Sequence, residues 1–149
     1  MVDIQKNASA KQRVLVVENH PFFRENLVNW IATQENLEAC AEAATVSAAI
    51  EAVRSSDPDL VLLDLNLDGE SSGLDFLRWV KSQGLRLFVI VLSQYEEQRF
   101  ANIALRAGAR GYVSKAAATD ELQPAIKAVL DGQCYVSGRG AFACGPEQS

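Results

Sequence analysis

No run of apolar residues in this chain is long enough to cross a bilayer; one of the longest, Leu85 to Leu92, is already broken by Arg86. The segment Met1 to Gln12 is polar and lacks the apolar core of a secretory signal. Both absences lead to the expectation of a cytoplasmic protein. Cysteine is scarce: Cys40, Cys134 and Cys144 lie far apart, without metal-ligand spacing, and are expected to be reduced thiols. Positive charge is also short, with 14 Lys and Arg against 19 Asp and Glu. The formal net charge of −5 argues against this chain gripping a nucleic-acid backbone by itself. The one histidine, His20, stands between Asn19 and Pro21 and reads as a loop or packing residue. No internal repeat is visible. What remains is 149 residues, 48% hydrophobic and 22% charged, enough for one domain with a real core.

Along that length, strand and helix signals alternate five times. Val14 to Val17 is a short apolar strand that runs into Glu18 and Asn19. Pro21 opens a helix whose stripe is Phe23, Leu27, Trp30 and Ile31. Leu37 to Ala43 alternates as an edge or half-buried strand would, and Thr45 is placed to cap a helix carrying Val46, Ile50 and Val53. Leu60 to Asp64 is the third strand, its four aliphatic residues in a row reading as buried on both faces. A Gly- and Ser-rich loop, 68–73, leads to a helix with Leu74, Leu77 and Val80. Leu87 to Leu92 is the fourth strand, ending at Ser93, and the stripe Phe100, Ile103, Ala104, Ala107 follows, with Gly108 as its cap. Gly111 to Lys115 is a fifth strand, and Asp120 to Leu130 a last helix with Leu122, Ile126 and Val129 inward. Five βα units in this order predict an α/β fold, a doubly wound five-stranded parallel sheet with helices on both faces. The domain is expected over residues 13–137, with a flexible segment at 1–12 and a flexible tail or linker at 138–149.

In such a fold the C-terminal ends of the strands converge on one edge, where open α/β sheets bind ligands. That edge gathers Glu18, Asn19, Asp64, Ser93 and Lys115. A carboxylate that can accept a phosphoryl group, with Mg²⁺ and a lysine to neutralise its oxygens, suits phosphoryl transfer. Asp64 is the pivotal residue, since a carboxylate is costly within a buried strand and cheap at its exposed end.

Three stretches carry a resemblance to a known family: 14–21 (Val-Leu-Val-Val-Glu-Asn-His-Pro), 62–66 (Leu-Leu-Asp-Leu-Asn), and 104–115 (Ala-Leu-Arg-Ala-Gly-Ala-Arg-Gly-Tyr-Val-Ser-Lys). With them the chain resembles a CheY-like response-regulator receiver domain of two-component signalling, particularly the receivers of NarL/LuxR-type regulators. The resemblance implies the flavodoxin-like (βα)5 fold and a phosphorylation-controlled switch rather than an enzyme, with at most slow autophosphatase activity. Asp64 matches the phosphoacceptor, Ser93 the switch hydroxyl, Lys115 the phosphate-pairing lysine and Tyr112 the switch aromatic. Glu18 and Asn19 stand at the acidic pair, which with Asp64 and the backbone carbonyl of Asn66 would bind Mg²⁺. A sensor histidine kinase is the implied phosphodonor. Signalling would run through the face of the fourth helix, fifth strand and fifth helix. That face, or one formed by the first and fifth helices, is where a homodimer is expected. DNA would be reached only through an output domain not present in this chain, regulation of transcription being the output the resemblance implies, and no membrane is implied.

Three departures from the family pattern stand out. The acidic pair is Glu-Asn, so the site loses one anionic ligand, and weaker Mg²⁺ binding is expected. Asp68 stands where a proline is usual. Lys115 precedes Ala116 rather than proline, so that bond is either trans or strained. The same residues also admit other readings. Asp64 could cap a strand or pair structurally with Lys115, and Tyr112 could be an ordinary half-buried strand residue. At the level of function, a pseudo-receiver would keep the fold as an interaction module without phosphate control. An aspartyl-phosphate hydrolase is a third reading, but it lacks the second carboxylate of an Asp-x-Asp pair at Asn66.

Overall fold

The computed structural model describes residues 10–67, 72–95 and 98–145. The expected flexible segment up to residue 9, the departure at Asp68 and the end of the tail at 146–149 lie outside the described residues. Within them the order is β1 (Gln12–Val17), α1 (Pro21–Ala32), β2 (Leu37–Ala43), α2 (Val46–Ser56), β3 (Leu60–Asp64), α3 (Gly73–Ser82), β4 (Phe88–Ser93), α4 (Gln98–Arg106), β5 (Gly111–Ser114), a 3₁₀ turn (Lys115–Ala117), α5 (Ala118–Leu130), β6 (Cys134–Val136) and β7 (Gly140–Phe142). The sheet runs β2-β1-β3-β4-β5-β6-β7. The first six strands are parallel and β7 is antiparallel to β6.

Each local choice has a visible cause. Pro21 sits at the start of α1, where its missing N–H costs nothing. The Thr45 hydroxyl accepts from the Ala48 N–H and caps α2. Helix α2 ends at Asp57, which takes a left-handed turn (φ 48°) just before Pro58, a residue that cannot continue a helix. Every residue of β3 is buried, because helices cover both faces of the sheet. One layer packs Leu15, Val17, Leu63, Phe76 and Leu77 on the side of α2, α3 and α4. The other packs Val14, Val16, Leu62, Ile126 and Val129 on the side of α1 and α5. Alternate residues of β1 and β3 thus serve opposite layers, as the period of two requires. Trp30 and Trp79 are half-buried packing residues, as expected.

Three expectations are corrected. The five expected parallel strands of the doubly wound sheet are all present, β6 and β7 extend it to seven, and the stretch from Gly138, expected to be flexible, folds back as β7. Three-residue strands are too short to show a period, and the turn between them uses Gly138 and Gly140 at φ 82° and 86°. Cys134 and Cys144 are joined in a disulfide, not reduced, while Cys40 is free. The hairpin pairs Cys134 with Phe142, and Cys144 lies two residues further on, so the pleat period returns it to the same side. Finally, α4 turns Ala101 and Ala104 inward and leaves Ile103 43% exposed, so the apolar stripe is rotated from the one expected. Among the described residues no peptide bond is cis, so Lys115–Ala116 is trans.

Candidate functional site

The site is assembled at the C-terminal ends of β1, β3, β4 and β5, and the sheet register explains why. Asp64 pairs with Leu92, one residue before Ser93, and Ser93 pairs with Ser114, one residue before Lys115. The three side chains therefore leave the sheet at successive steps along one edge. Glu18 follows directly after β1, its N–H donating to the Ala43 carbonyl of β2.

Asp64, Glu18 and Ser93 are all at least 97% buried. The Lys115 ammonium bridges the two acids, 2.7 Å from Glu18 Oε1 and 3.2 Å from Asp64 Oδ2. Glu18 Oε1 makes no regular hydrogen bond; what faces it is the Lys115 charge. The other Asp64 oxygen, Oδ1, accepts from the Asn66 N–H at 3.0 Å. Lys115 also lies over the Phe23 ring, 4.8 Å from its centroid, which fixes the ammonium from the α1 side.

Two carboxylates thus share one cation, and their ionisation is unequal. Burial pushes Asp64 up to about 6, helped by its hydrogen bond and repulsion with Glu18, against the opposing Asn66 N–H and Lys115. Burial pushes Glu18 up as well, but contacts with Asp64, Lys115 and the His20 backbone N–H outweigh it and leave Glu18 lowered. Protons on such a pair belong to the pair as a whole, with Glu18 holding the charge more firmly. One uncompensated negative charge in a buried pocket is a physical demand for a cation. The donor set fits a divalent metal: Glu18 and Asp64 at its centre, with Asn19 and the carbonyl of Asn66 beside them in sequence.

Asn19, next to Glu18 in the chain, is half-buried. Ser93 Oγ accepts from the Tyr95 N–H at 3.0 Å, which orients the hydroxyl at the pocket edge. Tyr112 is 2% exposed and its hydroxyl donates to the Tyr95 carbonyl at 2.6 Å. Tyr95 in turn stacks on Phe100 of α4, centroids 4.9 Å apart. The segment 93–95 therefore joins Ser93 to Tyr112 and to α4.

His20, which reads from the sequence as a loop or packing residue, is brought to the site by the structure. Its backbone N–H and its ring Nδ1 both lie 3.1 Å from Glu18 Oε2. Arg24 adds a bond from its guanidinium to the Glu18 carbonyl at 2.7 Å, and Gly73 approaches from α3. The signal for Gly73 was only its place in a Gly- and Ser-rich loop. A Cβ there would lie 2.7 Å from the Asp64 carbonyl oxygen and from Leu65 Cα, both backbone. Gly73→Ala is expected to cost about 1–3 kcal/mol in chemical denaturation, because the acceptor-bearing backbone itself must move. A cost below the error of the measurement would show that the loop yields freely.

Fold and site together define a class: a doubly wound α/β domain with two buried carboxylates, a lysine and a hydroxyl at the ends of its parallel strands. The model of the response regulator receiver domain matches residues 14–127, and the chain belongs to that family. It is 32% identical over 125 residues to the response regulator GacA of Pseudomonas aeruginosa, covering 84% of this chain and 58% of GacA. A nitrate/nitrite response regulator homolog of Haemophilus influenzae is 28% identical, over 85% of this chain and 61% of that protein. Among solved structures, a LuxR-family two-component response regulator from Aurantimonas superposes with a TM-score of 0.80 at 30% identity, covering 87% of this chain and 91% of that one. The receiver domain of a putative response regulator NarL from Mycobacterium tuberculosis gives 0.73 at 33% identity, over 82% and 95%. The chain is thus a receiver domain of the NarL/LuxR type. It spans about three fifths of the length of the curated relatives it matches. No helix among the described residues is long and apolar enough to cross a membrane.

Proposed function

We propose that Asp64 accepts a phosphoryl group from the phosphohistidine of a sensor kinase and that its phosphorylation state is the signal. The observation that carries this reading is the buried Glu18–Lys115–Asp64 cluster, in which the acceptor keeps an ammonium 3.2 Å away. Attack needs the ionised carboxylate. With Asp64 pushed to about 6, that form still prevails at neutral pH. A P–O bond forms at Asp64 as the P–N bond of the donor imidazole breaks, and the imidazole leaves. Mg²⁺, held by Glu18, Asn19, Asp64 and the Asn66 carbonyl, would supply charge neutralisation for the phosphoryl oxygens. Lys115 pairs with the added charge from within the protein. Ser93, released from the Tyr95 N–H, can donate its hydroxyl proton to a phosphoryl oxygen.

That exchange supports a readout. Loss of the Ser93–Tyr95 bond frees the segment on which Tyr112 and Phe100 both rest, so α4, β5 and α5 feel the change. This face, or that of α1 and α5, is where we place a homodimer. Control of transcription is proposed from the relatives, which include the transcriptional regulatory protein MctR of Rhizobium johnstonii. DNA contact would fall to a further domain, since the chain's balance is −5.

The test is intact mass after incubation with acetyl phosphate and Mg²⁺. The chain is expected to gain one phosphoryl group and Asp64→Asn none. Equal labelling of both proteins would refute the assignment. Asn19, which removes a charge from the metal pair, favours a second reading: an interaction module indifferent to phosphate. No labelling of either protein, with partner binding unchanged by Mg²⁺, would establish it.

A further inference from the structure

We propose that the cleft between α3 and α4, with the hollow it opens into at the start of β4, is a docking surface for an acidic segment of a partner protein that carries aliphatic side chains between its carboxylates. The surface lies on the α3 side of α4 and runs away from the Asp64 edge. It is independent of the phosphoacceptor reading.

Exposed apolar side chains gather here. Leu85 and Ile103, 39% and 43% exposed, are two of the four large hydrophobics left exposed among the described residues. On α3, Leu74, Arg78 and Lys81 follow one another at spacings of four and three and so share one face. Ile103, Arg106 and Ala107 of α4 form the facing wall, and the cleft between them has a volume of about 350 Å³. Lys81 is shared with a second hollow of about 470 Å³, whose walls include Leu85, Arg86, Leu87 and Arg110. Connected hollows of that size take several side chains, not a single ion. Exposed apolar surface rimmed by charge marks a protein-binding face.

The charge of the rim selects the partner. Arg78, Lys81, Arg86, Arg106 and Arg110 are five of the chain's 14 Lys and Arg, and no described acid lines either hollow. The chain as a whole stands at −5, so cations are concentrated here against the general balance. Arg78 holds Asp75 at 3.3 Å, and Arg110 lies 4.8 Å from the Phe88 centroid. Lys81, Arg86 and Arg106 make no ion pair among the described residues. Lys81 and Arg106 also complement the C-terminal ends of their helices, but Arg86 stands on no helix. The complement of such a surface is carboxylates spaced by aliphatic side chains. A nucleic-acid backbone would meet the cations and leave Leu74, Leu85 and Ile103 without partners. A second copy of the chain fits less well, because its Glu38, Glu42 and Asp131 already hold Arg13, Arg24 and Lys127.

The experiment titrates the full chain into a fluorescein-labelled synthetic peptide of Glu, Leu and Ala, read by polarisation, and maps the bound state by amide chemical shifts. Binding is expected in the micromolar range and should weaken severalfold as salt is raised. The shifts should concentrate at residues 74–88 and 103–110. Peptides with Ser for Leu, or with Lys for Glu, should bind on the order of tenfold more weakly. Arg86→Glu with Arg106→Glu should cost on the order of tenfold or more, and Leu85→Ser with Ile103→Ser severalfold. All four side chains are exposed, so circular dichroism should report an unchanged fold in both variants. Lys11→Glu with Lys127→Glu, which shifts the net charge equally at exposed positions elsewhere, should bind as the unaltered chain does. No binding by the unaltered chain, binding indifferent to the Arg86→Glu and Arg106→Glu pair, or shifts confined to other faces would overturn the proposal. Tighter binding of a DNA duplex would overturn it in favour of nucleic acid. A dimer in sedimentation that the same pair abolishes would overturn it in favour of a second copy.

Discussion

Lys115→Met is expected to destabilise the protein by about 3 kcal/mol at pH 7.5, measured by chemical denaturation with a chelator present. Lys115 is the cation that both Glu18 and Asp64 contact, and both acids are buried. Removing one partner of a buried ion pair costs about 3–5 kcal/mol, because the remaining charge keeps its desolvation penalty. The lower end applies here, since the Lys115 side chain is itself 18% exposed. The cost should shrink as pH falls towards 5. Asp64 already sits at about 6, and loss of the ammonium pushes it further up, so protonation relieves the repulsion earlier. A loss that is the same at pH 5 and pH 7.5 would mean that Lys115 acts through packing on Phe23 and not through charge.

Asp64→Asn carries the opposite sign. With a chelator present it is expected to raise stability at pH 7.5 by about 1–3 kcal/mol. Asp64 is an acid whose carboxyl is raised from 3.8 to about 6 on folding. Between those values the folded state binds more protons than the unfolded state. Stability of the unaltered chain therefore falls as pH rises from about 4 to about 6 and is level above that. In Asp64→Asn this slope should vanish, so the two proteins converge at pH 4 and separate by pH 7. Saturating divalent metal should narrow the gap by stabilising only the chain that keeps the carboxylate. An Asp64→Asn protein less stable than the unaltered chain at pH 7.5 would mean that the Lys115 contact outweighs the desolvation of Asp64. Taken with Lys115→Met, the pair describes a pocket that stores unfavourable charge for binding. Stability given up at a site for function is a common trade.

Much of this was legible in the chain. The strand Leu60–Asp64 could be read because four aliphatic residues ending in a carboxylate admit few other placements. The alternation of β2 admits an edge or a half-buried strand, and the sheet order makes it the edge; the α2 cap follows from Thr45. Asp64, Ser93 and Lys115 were found for the same reason: in a parallel sheet, the last residue of a strand is a position on the binding edge. The face of α4 was less legible. Its stripe of Phe100, Ile103, Ala104 and Ala107 is consistent with two rotations, and packing chose the one that buries the small Ala101 and Ala104.

The sequence by itself determined the βα alternation, the winding of the sheet and the acceptor edge, because these follow from periodicities of 2 and 3.6 and from right-handed crossovers. Only the tertiary structure decided the partnerships. His20 and Glu18 are two residues apart, yet nothing in their spacing tells that the imidazole turns back to the buried carboxylate. Cys134 and Cys144 meet because a hairpin of two three-residue strands, too short to leave a periodic trace, folds one onto the other. The unequal ionisation of Glu18 and Asp64 likewise depends on burial and on which oxygen faces Lys115. Those are properties of distances and of water's exclusion, which arise only once strands distant in sequence lie side by side.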